Sequence, residues 1–271
     1  MALNNITVKN KFPMPAIEDI IDTLSDYKYF TNIDLASGYH QIPMETNSIP
    51  FTAFNTPEGH YEYLRVPFGL CNAPSVFQQF INVIFLPLRK FHVIPYLDDI
   101  LIPSKSIEQG LELLEKVLET INKFGLTIKL TKSSFLLEKI NYLGYEISFN
   151  QICPSDTKIE AVKNFPYPKN QHQLRQFLGL VGYFRKFCEN FAQKTAALTK
   201  LLKKDTKWEW TKSHSAIVDS LKNIICSKPA LAIFNPNIPA IVYTDASREG
   251  YAGILTQKVD NIESPVAYFS S

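Results

Sequence analysis

Three aspartates interrupt apolar, strand-like segments of this chain. Asp34 closes the run 29–33, and the pair Asp98-Asp99 separates the apolar stretches 94–97 and 100–102. Carboxylates with apolar flanks are costly to bury without a compensating charge, and converging carboxylates repel each other. Mg²⁺ relieves such repulsion and is bound by few carboxylates together with substrate phosphates. Because two ions about 3.5–4 Å apart can activate an attacking hydroxyl and stabilise a leaving oxygen, the three acids permit two-metal phosphoryl chemistry.

The same spacing also has an ordinary structural explanation. An Asp-Asp pair between two strands is typical of a solvated turn, and a single aspartate at a strand end is typical of a cap. Spacing alone leaves both interpretations open, so the surrounding sequence has to decide between them.

The segments that carry the acids have strand patterns. Residues 29–35 are rich in aromatic and β-branched types, and short apolar runs at 92–96 and 100–102 flank the Asp pair. Further strands are expected at 51–55, 60–65, 240–245 and 253–256, with a hairpin inside 135–148.

Helical periodicity connects these strands. The clearest helix begins at the capping box Ser106-x-x-Gln109 and ends at Gly125. We expect its apolar face to consist of aliphatic residues at helical spacing, namely Ile107, Leu111, Leu114, Leu118 and Ile121. Other helices are expected at 13–27, at 74–89, within 155–202 and over about 211–227. Elements in this order predict an α+β body followed by an α-helical part.

Composition argues against membrane, secreted and zinc-binding proteins. The chain has 271 residues, is 45% hydrophobic and contains 17 prolines and 10 glycines, which is ordinary for two or three globular subdomains. No apolar run is long enough to span a membrane, and residues 1–5 lack a signal-peptide pattern. The four cysteines and five histidines have no zinc-ligand spacing. Reduced thiols in an intracellular protein are therefore expected, with disulfides as the alternative.

Charge is unevenly distributed along the chain. Between Lys163 and Lys212 there are 11 Lys/Arg and three acids, a local balance of +8, whereas the rest carries 17 Lys/Arg and 23 acids. Such a basic stretch favours a polyanionic partner such as nucleic acid. Solvated helix faces would explain the same charges equally well.

Several motifs occur in a single order along the chain. Tyr96-Leu97-Asp98-Asp99 matches the Tyr-x-Asp-Asp signature of reverse transcriptases. Further segments resemble the first catalytic motif, the nucleotide-site loop, the primer grip, the thumb and the opening of the RNase H domain of the Ty3/gypsy class, in this order: 30–42, 67–74, 142–145, 177–180 and 243–247. The chain thus resembles the reverse transcriptase of a Ty3/gypsy-type LTR retrotransposon Pol polyprotein over nearly its whole length.

The resemblance implies an α+β fold with the palm of a right-hand polymerase. Residues 1–150 are expected to form the palm with partial fingers, 151–205 a helical thumb, 206–239 a connection segment, and 240–271 the first strands of an RNase H-like domain. We expect truncation at both ends, because the family's N-terminal fingers strands are missing and Asp245 alone represents the RNase H carboxylates. One carboxylate cannot hold two metal ions, so no RNase H activity is expected.

The resemblance also implies RNA-directed DNA polymerase activity, in which a primer 3′-hydroxyl attacks the α-phosphate of a dNTP. The residues implied to be catalytic and to hold two Mg²⁺ ions, with Mn²⁺ as the alternative, are Asp34, Asp98 and Asp99. Those implied to bind the nucleotide are Leu35, Tyr39, Phe68 and Gly69. Those implied to bind primer and template are Tyr96, Leu143, Gly144, Arg175, Gly179 and Tyr183.

Three of these assignments have structural alternatives. Gly144 would let the backbone approach the primer terminus closely, and the alternative is an ordinary hairpin glycine. Tyr39 matches the family's steric gate, an aromatic ring that would clash with a ribose 2′-hydroxyl, and the alternative is a core tyrosine. Arg175, Gly179 and Tyr183 lie at i, i+4 and i+8 and share one helical face. A helical glycine costs about 1 kcal/mol against alanine, which a close-approaching nucleic-acid duplex would explain. Tight helix–helix packing is the alternative there.

Other functions and partners follow from the same reading. The expected partners are an RNA or DNA template with its primer, together with dNTPs and without a membrane, and the oligomeric state is left open. The expected location is the cytoplasm, with a virus-like particle or the nucleus as alternatives. A non-catalytic nucleic-acid-binding remnant and a structural subunit of a retroelement polymerase remain as alternative functions. Pro95 departs from the family, which tends to place valine there, and an edge strand would tolerate this loss of an N–H donor.

Overall fold

Two units make up the chain, Met1–Glu138 and Lys139–Ser271. The computed structural model describes residues 2–204, 206–248 and 250–271. Across these ranges, no helix is both long and apolar enough to cross a membrane. All four cysteines lie within them and are free thiols, which agrees with the expected reduced state.

The first unit is built on an antiparallel sheet. In chain order it contains α1 (Ala2–Ile6), α2 (Ile17–Asp22), β1 (Tyr29–Asp34), β2 (Phe54–Thr56), β3 (Gly59–Tyr61), α3 (Ala73–Ile84), β4 (Ile94–Tyr96), β5 (Asp99–Ser104), α4 (Ile107–Lys123) and β6 (Ser134–Leu137). Four of the strands form the sheet in the order β4-β5-β1-β6, and β2 pairs with β3 as a separate hairpin. Short 3₁₀ segments span Gly38–Gln41, Thr46–Thr52, Leu86–Phe91 and Leu130–Lys132.

The core of this unit lies against one face of the sheet. Ile33 of β1 pairs with Ile100 of β5, and both are 0% exposed. They belong to one apolar cluster with Phe77 of α3 and Val117 of α4. Side chains alternate between the two faces of a strand, so the next register pair lies on the face away from this core. That next pair is Asp34 with Asp99.

Helix α4 buries a different face from the one predicted. The predicted cap is present, since the Ser106 hydroxyl accepts a hydrogen bond from the Gln109 N–H, but the Gln109 side chain accepts from the Lys105 N–H and not from that of Ser106, so among the described residues the box is incomplete. The buried residues of the helix are Gly110, Leu113, Val117 and Ile121. Ile107, Leu111 and Leu118 are exposed, so the predicted apolar face is wrong except at Ile121, which is buried, and Leu114, which is partly buried against the core. Gly110 permits this orientation, because a Cβ built on it would lie 2.4 Å from Cδ2 of Leu136.

Several predicted elements have different bounds in the structure. The strand expected at 60–65 is only β3, Gly59–Tyr61. The helix expected at 13–27 is only α2, because Met14 precedes Pro15 and is thereby disfavoured from helical φ/ψ. Helix α3 ends at Ile84, and residues 86–91 continue as a 3₁₀ segment. The strand expected at 51–55 begins only at Phe54, because a 3₁₀ segment with Pro50 inside it precedes it.

The second unit combines helices with two sheets. In chain order it contains β7 (Ile140–Tyr142), β8 (Tyr145–Ser148), β9 (Gln151–Pro154), α5 (Asp156–Lys163), α6 (Gln171–Gly182), α7 (Phe191–Lys200), α8 (Lys212–Cys226), β10 (Leu231–Ala232), β11 (Ala240–Ser247), β12 (Gly250–Val259) and β13 (Ile262–Ser270). The sheets have the orders β10-β9-β8-β7 and β11-β12-β13. The helices expected within 155–202 and near 211–227, and the paired strands at 240–245 and 253–256, are all present.

An ion-pair cluster ties the first sheet of this unit to the start of α5. The Lys228 ammonium lies 2.9 Å from both Glu146 Oε2 and Asp156 Oδ1. The hydrogen bonds to these carboxylates raise the pKa of Lys228. One cation therefore joins the end of α8 to β8 and α5.

The observed orientation of α4 can be tested with a matched pair of substitutions. Leu113→Ala removes a side chain that is 4% exposed, and we expect it to lower the free energy of unfolding by about 2–5 kcal/mol. Leu111→Ala acts on a side chain that is 53% exposed, and we expect a change within about 0.5 kcal/mol. Urea denaturation of both variants measures the difference. Equal losses would show that the predicted face, which includes Leu111, is the buried one.

Candidate active site

The strand register brings the three aspartates to one end of the first sheet. Asp34 of β1 pairs with Asp99 of β5, at a Cα separation of about 4.5–5.5 Å for such pairs. Tyr96 pairs with Asp99 from the other side, so that Leu97 and Asp98 form the turn between β4 and β5. The Leu35 N–H donates to the Asp98 carbonyl at 2.7 Å and fixes the turn against β1. Three acids far apart in sequence thus lie next to one another.

Their charges interact. Burial, followed by the charges of Asp34 and Asp99, raises the pKa of Asp98. Burial also raises the pKa of Asp99, and a hydrogen bond from Asn32 opposes this rise. The Asn32 Nδ2 donates to Asp99 Oδ1 at 2.8 Å. Lys132 places its ammonium 3.9 Å from Asp34 Oδ2 and partly compensates the negative charge.

The chemistry of the acids fits a divalent cation. Among the described residues, Asp98 Oδ1 is buried and has no hydrogen-bond partner, a costly state for a carboxylate oxygen. Yet in the same residues no three His, Cys, Asp or Glu side chains are arranged to hold one metal ion. Mg²⁺ needs only one or two protein carboxylates when substrate phosphates supply other ligands. Asp34 and Asp98 fit such a site, whereas the set of three with Asp99 stays a prediction.

Gly38 makes room for the Asp98 carboxylate. A Cβ built on Gly38 would lie 1.9 Å from Oδ1 and 2.7 Å from Cγ of Asp98, and 3.0 Å from Cζ of Phe77. Any side chain at this position would displace the carboxylate or the ring. Glycine is therefore required here by close approach.

An aromatic surface lies beside the acids. The Tyr39 ring meets Phe68 edge-on at 5.1 Å and Phe77 at 5.6 Å. Burial and then the charge of Asp98 raise the pKa of Tyr39, which is thus close to the carboxylate. Phe68 is 60% exposed, so its ring is open to a ligand. Tyr39 is part of this surface and also packs against the core residue Phe77.

The other two residues predicted to bind the nucleotide differ from each other. Leu35 is 1% exposed as a whole residue and belongs to the apolar cluster, and its N–H already donates to the Asp98 carbonyl, so its predicted contact with a nucleotide has no exposed group to make it. Gly69 has φ of +93°, a left-handed value that favours glycine. Its carbonyl accepts a hydrogen bond from Asn4 Nδ2 at 2.8 Å, and Asn4 Oδ1 accepts from the Cys71 N–H at 2.9 Å. Asn4 thereby holds the loop from both sides.

In the second unit, Leu143 and Gly144 form the tight turn between β7 and β8. Their φ values are +47° and +85°, and Tyr142 pairs with Tyr145 around them. The Tyr183 hydroxyl, at the end of α6, donates to the Leu143 carbonyl at 2.5 Å, and its ring stacks on Tyr145 at 5.1 Å. Tyr183 therefore supports the turn, a role that the helical-face prediction did not include.

Arg175 and Gly179 lie on an exposed face of α6. A Cβ built on Gly179 meets nothing within 4 Å. Within the ranges that the structure covers, tight helix packing at Gly179 is therefore absent, and that alternative is wrong there. The face is open to a partner.

Sequence reasoning missed Asn32, Gly38 and Lys132. Asn32 lies two residues before Asp34 and therefore on the same face of β1, so strand alternation could have identified it. Gly38 lies within the motif at 30–42, but its contact with Asp98 is between residues far apart in the sequence. Lys132 is 98 residues from Asp34, and no local pattern connects the two.

Neutralising Asp98 should stabilise the protein when no divalent cation is bound. Its folded-state pKa lies above the ordinary value, so its favourable contribution is present at low pH and is lost as pH rises through the raised pKa. In EDTA at neutral pH, Asp98→Asn should therefore raise the unfolding temperature, by about 2–4 °C for each kcal/mol of repulsion removed. Thermal unfolding followed by circular dichroism measures this. The gain should shrink toward acidic pH, and a gain independent of pH would contradict charge repulsion as its cause.

Filling the space at Gly38 should weaken cation binding. Gly38→Ala forces the Asp98 carboxylate away, so the Mg²⁺ concentration for half-maximal thermal stabilisation should rise about 10–100-fold. Gly182→Ala is the control, because a Cβ there meets nothing within 4 Å. An unchanged midpoint in a folded Gly38→Ala protein would mean that the Asp98 carboxylate does not bind the ion.

Comparisons with protein families match both ends of the chain. The family of the reverse transcriptase (RNA-dependent DNA polymerase) matches residues 1–147. The RNase H-like domain found in reverse transcriptase matches residues 210–271.

Curated relatives are transposon polyproteins. The chain is 40% identical over 256 residues to the retrovirus-related Pol polyprotein from transposon 297 of Drosophila melanogaster, covering 94% of this chain and 24% of that protein. It is 36% identical over 270 residues to the Tf2-3 polyprotein of Schizosaccharomyces pombe, covering 99% of this chain and 20% of that protein. The chain thus spans about a quarter or less of the length of these relatives.

Solved structures of similar fold confirm the predicted fold class. The foamy viral protease-reverse transcriptase in complex with RNA/DNA hybrid has a TM-score of 0.84 at 23% identity, over 100% of this chain and 37% of that one. Its dRH form in complex with ds DNA has a TM-score of 0.88 at 23% identity, over 99% of this chain and 47% of that one. The α+β polymerase fold followed by an RNase H-like segment is therefore correct. Since the first family match covers more than half of the 271 residues, the chain belongs to the reverse transcriptase (RNA-dependent DNA polymerase) family.

Proposed function

We propose that this chain is an RNA-directed DNA polymerase that extends a primer on an RNA or DNA template by nucleotidyl transfer. The observation that carries the proposal is the strand register, which pairs Asp34 with Asp99 and leaves Asp98 in the adjoining turn. Family membership and the transposon Pol relatives support the same reaction.

The acids have separate roles in this proposal. Asp34 and Asp98 would hold Mg²⁺, with Mn²⁺ as the alternative, and the bound ions would supply activation of the primer hydroxyl and neutralisation of the leaving pyrophosphate. Asp99, whose carboxylate accepts from Asn32, contributes negative charge and holds the turn in register with Asp34. Lys132 limits the repulsion among the acids before substrate arrives.

The aromatic surface binds the incoming dNTP. Phe68 is exposed and packs on the nucleotide, and the Gly69 backbone approaches it closely. Tyr39 stands between Phe68 and Phe77, so its ring cannot swing freely. A fixed ring at this position excludes a ribose 2′-hydroxyl, which is the steric-gate role. Leu35 contributes through its N–H, which holds the Asp98 carbonyl.

Primer and template contacts belong to several elements. Tyr96 and the Leu143-Gly144 turn meet the primer strand, and Arg175 with Gly179 meets the duplex backbone. The open face at Gly179 and the basic balance of 163–212 support these roles. The foamy viral relatives were determined with RNA/DNA hybrid and ds DNA. We assign the palm with partial fingers to 1–150, the thumb to 151–205, the connection to 206–239 and the RNase H-like segment to 240–271.

Two narrower statements complete the proposal. Asp245 supplies one acid of an RNase H-like site, and a two-metal site needs further carboxylates. It works in the cytoplasm, with a virus-like particle or the nucleus as alternatives, since its relatives are transposon polyproteins.

Primer extension tests the polymerase activity directly. With poly(rA)/oligo(dT), dTTP and Mg²⁺, the purified chain should incorporate dTMP, and Asp98→Asn should lower the rate at least roughly 10²-fold, the size of losing one electrostatic stabiliser. Asp19→Asn is the matched control, because this exposed residue of α2 undergoes the same chemical change. Incorporation that survives Asp98→Asn, or that falls equally with Asp19→Asn, would refute the assignment.

The same material separates catalysis from binding alone. A non-catalytic remnant would bind the hybrid in a gel shift with an affinity that falls as salt rises, and would incorporate nothing even at high protein and dNTP concentration. The basic balance of 163–212 is the observation that favours this second candidate. A structural subunit would incorporate no nucleotide by itself, and incorporation would be seen only after a second, catalytic polymerase chain is added.

A further inference from the structure

Gln78 is a fully buried polar side chain in the core of the first unit. It lies in the middle of α3, is 0% exposed, and follows Phe77 in the chain. A buried amide is costly unless its donors and its acceptor are bonded. An apolar residue would fill the same position without that requirement. The function of Gln78 therefore depends on which groups its hydrogen bonds hold in place.

All of these bonds but one go to the turn that carries Asp98. Gln78 Nε2 donates to the Pro95 carbonyl at 2.9 Å, and Gln78 Oε1 accepts from the Leu97 N–H at 2.7 Å. The second Nε2 hydrogen is directed to Asn82 Oδ1 at 3.0 Å, which holds the amide in this orientation.

The two bonded backbone groups belong to the outer side of an edge strand. β4 stands at the end of the sheet order β4-β5-β1-β6, so no further strand of the sheet pairs with it. The side-chain amide of Gln78 offers one donor and one acceptor, as a peptide unit of a neighbouring strand would. Pro95, which departs from the family, has no N–H to lose on this side, and its carbonyl is the group that Gln78 binds.

Two features of the turn oppose its observed conformation. Leu97 has φ of +50°, in the left-handed region that side chains rarely adopt. The next residue, Asp98, is repelled by Asp34 and Asp99, and its Oδ1 has no hydrogen-bond partner among the described residues. Strain and repulsion therefore both act to move the turn away from β1. On the inner side the turn is held through the Leu35 N–H, which donates to the Asp98 carbonyl.

We infer that Gln78 is a positioning residue, which replaces a missing strand at the edge of the sheet and holds the Leu97-Asp98 turn so that the Asp98 carboxylate stays beside Asp34. Its consequence for catalysis rests on the proposed polymerase function, whereas the holding of the turn does not. Gln78 itself touches neither the acids nor a substrate.

Two substitutions and a neighbouring control test the inference. Gln78→Met keeps the volume and removes both bonds to the turn. Gln78→Glu keeps the acceptor for the Leu97 N–H and loses the donor to Pro95 at neutral pH. Gln79→Met makes the same change as the first variant at the next residue, which is exposed.

Hydrogen exchange of the Leu97 amide measures the holding of the turn. Exchange should be at least about tenfold faster in Gln78→Met than in Gln79→Met, because Gln78→Met loses the bond that protects this amide and Gln79→Met keeps it. The rate in Gln78→Glu should be intermediate. Equal rates in Gln78→Met and Gln79→Met would overturn the inference. If Gln78→Met does not fold, the comparison of Gln78→Glu with Gln79→Met decides in the same way.

The Mg²⁺ requirement measures the effect on Asp98. The Mg²⁺ concentration for half-maximal thermal stabilisation should rise about 10–100-fold in Gln78→Met and stay unchanged in Gln79→Met. In primer extension kcat should fall by a similar factor while KM for dTTP stays within about twofold, because the acids move and the aromatic surface does not. Faster exchange with an unchanged Mg²⁺ midpoint would overturn the positioning role. If the wild-type chain extends no primer while Gln78→Met still loses the Mg²⁺ stabilisation, the proposed function is refuted and this inference stands.

Discussion

The packing of one apolar pair holds mutually repelling acids together. Ile33 and Ile100 face each other across β1 and β5 inside the core, and the next pair in the same register is Asp34 with Asp99. A slip of one residue would turn the acids toward the core and the isoleucines toward solvent. The free energy of burying the core therefore keeps the carboxylates adjacent, although their charges alone would separate them.

The surroundings of the acids are consequences of that enforced proximity. Asn32 donates to one carboxylate, and Lys132 brings a cation toward another. Gly38 leaves the space that the Asp98 carboxylate occupies, which a single methyl group would fill. Asn32 and Gly38 flank Asp34 in the chain, whereas Lys132 lies 98 residues beyond it, yet all three act on the same small region.

Local patterns predicted the elements of the chain well, and non-local contacts explain the errors. Strand β1, the Ser106 cap of α4 and the helices of 155–202 follow from composition and spacing. The buried face of α4 does not, because that helix carries two apolar stripes and the choice between them depends on its close approach to Leu136 at Gly110. Its sequence satisfies both faces, and only the packing of β6 selects one.

At the candidate active site, too, local patterns predicted some features and non-local contacts determine the others. The three acids and their order could be read from motifs, since each lies in a short stretch of characteristic residues. The charge balance could not, because Lys132 reaches Asp34 through the fold alone. Tyr183 was placed correctly on its helix, but its hydroxyl turns to the Leu143 carbonyl, a contact across 40 residues that periodicity cannot contain.

The hydrogen bond between Tyr183 and Leu143 couples the end of α6 to the β7–β8 turn. The Tyr183 hydroxyl donates to the carbonyl of Leu143, which has a left-handed conformation, and the stacked ring of Tyr145 limits lateral movement of the Tyr183 ring. If the helix tilts, the tip of the turn must travel with it or give up the bond. In the proposed function, the primer contact at that turn and the duplex contact on the helix would therefore move together.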